Sequence, residues 1–379
     1  MKHHHLTKAA ATIVAAALLF ASCGSAERIG DNPARMLRTS GQVAQLRQLR
    51  RVTPDSLTSC GSHLYTLDYT DDYHLPDMVH ADVRSLGGFV RQLGRRDLRL
   101  LPGLTHLRSV LPGCSCFAMQ DSQQGGQIVG RNFDYLSPNG VSDIVLVRTA
   151  PANGYRSMGL VSLALLNHPP RSLSDGTTDL SLLYAAPYLV MDGINEKGFF
   201  IGVLYLDGDP TQQQYEGRHD IMTLTAIRQL LDHAATVRDA ILILNAYNMF
   251  AGTTAGSYHF MVADTTGRHG VLEYIHDGNR HQWHLAPVEA DYVTNFYLND
   301  GWREIGHGYD RYDTLKAYFE QQGNTGTADD AMHLLQAVAQ EPSTRKTSNT
   351  QWSAVYDLHQ RSLRLCIGRD YNHVYDFTL

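Results

Sequence analysis

Pro112-Gly113-Cys114-Ser115-Cys116-Phe117-Ala118-Met119 is followed, after a polar link from Gln120 to Gln127, by Gly130-Arg131-Asn132-Phe133-Asp134-Tyr135. Cys114, Cys116 and Ala118 alternate with other residues, the period of a strand. Gln123-Gln124-Gly125-Gly126 carries the glycines that a tight turn with positive φ needs, and Ile128-Val129-Gly130 begins a second strand. The hairpin so predicted returns Arg131 and Asp134 toward Cys114. A thiol, a permanent cation and a carboxylate in one place are the parts of an activated nucleophile. Taken singly, Cys114 also reads as a buried small hydrophobe, and Arg131 with Asp134 as a surface ion pair beside a turn.

Cys-Ser-Cys at 114–116 with Gly-Arg-Asn-Phe-Asp-Tyr at 130–135 resembles the start of the mature catalytic chain in the N-terminal-nucleophile (Ntn) cysteine amidases. Choloylglycine hydrolases, penicillin V acylases, acid ceramidase-like enzymes and penicillin acyltransferases belong to that group. The resemblance implies an α+β fold, the Ntn-hydrolase four-layer αββα sandwich with two mostly antiparallel sheets. It implies that Cys114 becomes the first residue of the processed chain and that its own α-amino group serves as the base. The cleavage site is then Gly113-Cys114. A glycine there leaves the carbonyl open to the thiol and tolerates strained backbone.

Further landmarks follow in the family's order across roughly Cys114 to Leu379. Asn195-Glu196-Lys197-Gly198 sits in a predicted hairpin turn between Tyr188–Asp192 and Phe199–Leu206, and resembles the choloylglycine hydrolase turn. Aligning on it places Tyr205 where the family uses a backbone N–H to bind the oxyanion. Bile-salt hydrolases usually carry Asn there and penicillin V acylases Tyr, so the residue argues against bile-salt specificity. Asn295, in Val293-Thr294-Asn295-Phe296, falls where the family places a side-chain oxyanion donor. Arg311, at the start of a predicted helix, matches a second active-site arginine. Without the alignment, Tyr205 reads as a core aromatic, Asn295 as a turn residue and Arg311 as a surface ion-pair partner.

The length of 379 residues allows one large or two medium domains, and 43% hydrophobic with 18% charged residues fits a globular protein with a sizeable core. A net charge of −6 gives no reason to expect nucleic acid as a partner. The cysteines at 23, 60, 114, 116 and 366 have neither zinc-site spacing nor the density of a disulfide framework. No metal or cofactor is called for.

Residues 1–22 read as a targeting segment, with a basic start and an apolar run from Ala9 to Ala21 too short to span a membrane stably. Leu19-Phe20-Ala21-Ser22-Cys23 resembles a bacterial lipobox, with Phe20 where Leu is usual. It implies lipidation of Cys23 and a place in the cell envelope, periplasmic or on the outer membrane. A plain secreted protein with an incidental cysteine is the alternative. Residues 23–113 then form a tether and a separate, propeptide-like region, and residues 114–379 the catalytic domain. Within the upstream region Ala34–Arg51 and Val79–Leu101 read as helices and His63–Tyr69 as a strand. An ordinary N-terminal domain ending in a Pro112-Gly113 turn is the competing reading.

Downstream, Asp143–Arg148 and Leu160–Leu166 read as buried strands and Pro169–Thr178 as a polar loop. His219–Phe250 reads as one or two helices, and Tyr258–Tyr274 as strand, turn and strand. Helices are expected over Tyr309–Gln322 and Ala328–Gln340, and strands over Trp352–Ile367 and Asn372–Leu379. Cys366 reads as core packing. The function expected is hydrolysis of a linear amide in a small N-acyl substrate through an acyl-enzyme on Cys114. An acyltransferase using the same intermediate and a non-catalytic ligand-binding surface lipoprotein are the alternatives. Cys116 is the rival nucleophile, but its cleavage would follow Ser115 rather than a glycine. Homo-oligomerisation is left open.

Overall fold

The computed structural model describes residues 45, 48–53, 63–96, 113–135, 142–166, 173, 180–254, 256–279, 282–341 and 348–379. The targeting segment, Cys23, Cys60, Pro112 and nearly all of the 169–178 loop lie outside the described residues.

In chain order, strands β1 (Leu49–Arg51) and β2 (Leu64–Tyr69) precede helices α1 (Leu75–His80) and α2 (Leu86–Arg96). The expected hairpin forms from β3 (Cys114–Asp121) and β4 (Gln127–Tyr135), and its turn holds Gly125 at φ 69° and Gly126 at φ 92°. Next come β5 (Ile144–Thr149), β6 (Ser157–Ser162), β7 (Asp192–Asn195) and β8 (Phe200–Leu206). Short parallel strands β9 (Asp220–Met222) and β10 (Asn248–Phe250) bracket α3 (Thr223–His233) and α4 (Val237–Asn245). Then follow β11 (Ser257–Ala263), β12 (His269–Ile275), β13 (His284–Val288), β14 (Tyr292–Val293), β15 (Asn295–Phe296) and β16 (Gly306–His307). The chain closes with α5 (Tyr309–Gln322), β17 (Thr325–Gly326), α6 (Ala328–Ala337), β18 (Asn349–Asp357), β19 (Ser362–Ile367) and β20 (Val374–Thr378).

Two large sheets result. The first runs β1-β2-β5-β6-β7-β8-β11-β12-β13, and the second β14-β3-β4-β18-β19-β20 with β17 added beside β3. Neighbours are antiparallel except β2 with β5 and β17 with β3. Helix α3 packs on β7 and β8 of the first sheet, and α6 on β4 and β18 of the second. Alternation along β3 explains the layering. Cys114, Cys116 and Ala118 enter the main core shared by both sheets, while Phe117 and Met119 enter a second core with Leu315, Ala331, Leu334, Leu335 and Cys366. This is the αββα sandwich.

Several local expectations change. The strand read over Tyr188–Asp192 begins only at Asp192, after a 3-10 helix over Leu180–Tyr188, and His219–Phe250 carries short strands at Asp220–Met222 and Asn248–Phe250 beside its two helices. Residues 49–51, read as the end of a helix, form an edge strand on β2, where pairing with Tyr65–Leu67 overrides helical spacing. The Val79–Leu101 helix is interrupted at 81–85, where Asp82 has φ 49° and its carboxylate accepts the Asp220 N–H at 2.8 Å. Leu160–Leu166 is strand only to Ser162 and then turns as a 3-10 helix.

The fold also does not divide where the sequence reading put its boundary. β2 pairs with β5 from Leu64↔Ile144 to Tyr69↔Thr149, and residues on both sides of position 113 belong to one compact unit. Leu64 and Leu67 are completely buried, so the upstream strand is part of the core.

Candidate active site

The hairpin register sets Cys114 opposite Phe133 and Cys116 opposite Arg131. Arg131 thereby projects into the space between the sheets, completely buried. Its Nη2 donates to the Val203 carbonyl at 2.5 Å, and its Nε lies 3.6 Å from Asp192 Oδ1. Nε and Nη1 have no hydrogen-bond acceptor among the described residues. The negative charges it faces are Asp192 and, when ionised, the sulfurs of Cys114 and Cys116.

The Gly113–Cys114 peptide is gripped from both ends. The Asp134 N–H donates to the Gly113 carbonyl at 2.9 Å, and the Cys114 N–H donates to Asn295 Oδ1 at 2.6 Å. The Gly113 N–H donates to Ser348 Oγ at 3.0 Å. A Cβ on residue 113 would collide with the Gln340 side-chain amide and stand 2.8 Å from Ser348 Oγ. The contacts are with the ends of two side chains, and Gly113 is not among the residues with positive φ, so a larger residue there requires those side chains to move.

Arg311, from the first turn of α5, reaches the next peptide, Cys114–Ser115. Its Nη1 donates to the Cys114 carbonyl and, at 2.9 Å, to Ser115 Oγ, while Nη2 donates to Asn295 Oδ1 at 2.9 Å. Gly308, at φ 83°, makes room, because a Cβ there would strike the Arg311 guanidinium. Asn295 Nδ2 donates to the Tyr205 carbonyl at 2.9 Å. The structure thus brings Cys114, Arg131, Asp134, Tyr205, Asn295 and Arg311 into one network around Gly113. The Asn295 amide, expected to offer a proton to an oxyanion, gives one to the Tyr205 carbonyl, and its oxygen receives the Cys114 N–H.

Electrostatics follow from burial. Cys114 is 1% exposed, and burial pushes its thiol up, with Arg131 offsetting only part of the rise. Arg131 thus pulls the thiol down, and burial outweighs that pull. Burial pushes Cys116 up as well. Asp134 is raised to about 6 by burial, against the opposing pull of Arg311 and a hydrogen bond from Thr350. Its Oδ1 accepts from Thr350 Oγ1 at 2.5 Å, whereas Oδ2 lies 3.7 Å from Arg311 Nη1 and has no hydrogen bond among the described residues.

Sequence reasoning missed the support behind Arg131. Asp192, raised to about 6 by burial, accepts from Trp352 Nε1 at 3.1 Å and from the Tyr356 hydroxyl at 2.6 Å. A signal existed: a carboxylate ending the apolar run Leu189-Val190-Met191 must find a partner once buried. Thr350 carried no such signal, and a register shift in β18 beside Gln351 sets it opposite Asp134. A cavity of 370 Å³ adjoins the site, bordered by Leu86, Gly87, Met191, Val203, Met222 and Tyr258 among others.

The family model of acyl-coenzyme A:6-aminopenicillanic acid acyl-transferase matches residues 121–372. The chain belongs to this family. Among solved structures, this acyl-transferase family member is similar to the conjugated bile acid hydrolase of Clostridium perfringens. The two share 15% identity with a TM-score of 0.50, covering 70% of this chain and 92% of the other. It is also similar to the penicillin V acylase of Agrobacterium tumefaciens, with 17% identity and a TM-score of 0.47, covering 70% and 86%. A search of curated proteins finds no match. At these identities the likeness to the hydrolase is one of fold, in agreement with the two stacked sheets of this family member.

Proposed function

We propose that the chain is an Ntn cysteine amidase that hydrolyses a linear amide bond of an N-acyl substrate through an acyl-enzyme on Cys114. The observation that carries this reading is the doubly held Gly113–Cys114 peptide, with its thiol between Arg131 and the Asp134 backbone. In the first step Cys114 Sγ attacks the Gly113 carbonyl carbon, and the Asp134 N–H supports the oxygen as it gains charge. The C–N bond breaks, the Cys114 nitrogen takes a proton, and a thioester joins Gly113 to Sγ. Water hydrolyses that thioester, leaving a carboxylate on Gly113 and a free amine on Cys114.

In the processed chain the α-amino group, with an ordinary pKa of about 7.7 to 8.0, exchanges a proton with the thiol near neutrality. Asn295 Oδ1 and the vacant Asp134 Oδ2 hold the ammonium form, and Arg131 favours the thiolate once the peptide no longer buries it. The thiolate attacks the substrate carbonyl, the Tyr205 N–H and the Asn295 amide bind the oxyanion, and the protonated amine leaves. Water then releases the acid. Transfer of the acyl group to an amine in place of water is the second reading, favoured by the family's own description. The lipobox-like stretch adds a proposal of place, a lipid on Cys23 holding the enzyme in the bacterial envelope.

The test is amine release from an amide panel, with mass spectrometry of the mature N-terminus. The reading requires a chain beginning at Cys114 and loss of turnover in Cys114→Ala. Undiminished turnover in that variant, or an active wild-type protein with an unbroken 113–114 bond, rejects it. Added amine acceptor that diverts product from acid to new amide assigns the transferase.

A further inference from the structure

We infer that the cavity beside Arg131 receives the acyl group of the substrate, a linear apolar chain of medium length, and that Leu86 and Gly87 limit its length. The inference rests on the amidase reading and adds the substrate class. The near wall touches the catalytic network. Val203 lends its carbonyl to Arg131, and Met191 directly precedes Asp192. Tyr258 lies across from Tyr205 in the β8–β11 register, the rings 5.8 Å apart, and the Tyr205 carbonyl holds Asn295. An acyl chain entering here extends from the thiol along the wall that fixes Arg131.

The lining states the chemistry. Aliphatic, thioether and aromatic groups with a few hydroxyls border the space, and no Lys, Arg, Asp or Glu does so among the described residues. Such a surface rewards apolar carbon and penalises a charged end group. At roughly 30 Å³ for a water-sized group, the 370 Å³ holds about a dozen heavy atoms. That suits an acyl chain of medium length. The unbranched thioethers of Met191 and Met222 can adapt to a flexible chain.

The far wall comes from the chain ahead of the cleavage point. The Leu86 N–H donates to the Gly252 carbonyl at 3.0 Å, and Ser85 bridges to the same glycine. Arg84 holds Asp220 at 2.5 Å, and the Tyr73 hydroxyl donates to buried Asp232 at 2.6 Å. The start of α2 is therefore fixed in place. A Cβ on Gly87 meets nothing within 4 Å, and its φ is not in the positive region. A larger residue there is compatible with the helix and grows into open space.

The experiment uses protein cleaved before Cys114 that retains the segment ahead of it, and acetyl, hexanoyl, decanoyl and palmitoyl amides of one reporter amine. Wild-type kcat/KM should peak at hexanoyl or decanoyl. Gly87→Phe should lower the decanoyl-to-hexanoyl ratio of kcat/KM by about tenfold or more, tenfold being the low end for one methylene in an apolar pocket. Leu86→Ala should move the ratio the other way. Turnover that depends on Cys114 with a length profile neither variant moves overturns the pocket assignment alone. Turnover surviving in Cys114→Ala overturns the amidase reading beneath it.

Discussion

The side-chain oxygen of Asn295 accepts the backbone N–H of Cys114 at 2.6 Å, across 181 positions of sequence. The same oxygen takes Arg311 Nη2, and the amide nitrogen is anchored on Tyr205. One neutral side chain thereby fixes the nitrogen that cleavage would free.

Asn295→Ala removes that anchor and leaves the Cys114 N–H, the Arg311 guanidinium and the Tyr205 carbonyl with one partner fewer. Amide turnover should fall by about 10²–10³-fold, the usual cost of an oxyanion donor. Steady-state kinetics on fully processed protein checks this. A fall smaller than tenfold removes Asn295 from the chemistry.

Gly113→Ala sets a Cβ against the ends of the Gln340 and Ser348 side chains, beside the carbonyl that Cys114 attacks in the proposed maturation. Maturation should slow, with about 10²-fold as the upper end, reached where the carbonyl moves by about 1 Å. Gln340→Gly in the same chain should restore part of the rate. Time-resolved mass spectrometry of fresh protein measures both, and wild-type maturation in Gly113→Ala contradicts the assignment of the scissile bond.

Asp192→Ala strips the buried carboxylate from behind Arg131. Loss of one partner from a buried pair costs about 3–5 kcal/mol. The melting temperature should drop, and maturation should slow as Arg131 loses its position. Thermal unfolding with the Cys114→Ala chain as background separates stability from turnover.

Asp134 and Asp192 keep their protons to about 6 in the fold, above an ordinary value of 3.8. The folded state therefore binds more protons than the unfolded state between those values, and raising the pH costs stability there. The uncleaved Cys114→Ala chain should be most favoured by these two groups below about pH 4 and should lose that contribution through about pH 6. Asp134→Asn should flatten the slope in melts taken across that window. Maturation that uses the Asp134 carboxylate should rise through the same range.

Much of the site was legible because its landmarks lie on locally coded elements. The β3–β4 hairpin follows from alternation at Cys114, Cys116 and Ala118 and from the glycine turn. The Asn195–Gly198 turn follows equally from local chemistry. Helices α4 and α6 begin at Thr236 and Thr327 with Asp three residues on, and both form capping boxes. The miss at residues 49–51 has a different character, since an edge strand is decided by the partner it pairs with.

The sequence alone determined the hairpin, the order of the candidate site residues and the alternation that turns Cys114 inward, because turn chemistry and strand period act over a few residues. Only the tertiary structure decided that Asp192 and Thr350 buttress Arg131 and Asp134, that Gly113 is held against Gln340 and Ser348, and that the chain ahead of Cys114 completes a sheet and a cavity wall. Those outcomes depend on which groups share a buried volume, and burial sums contributions from elements far apart in the chain.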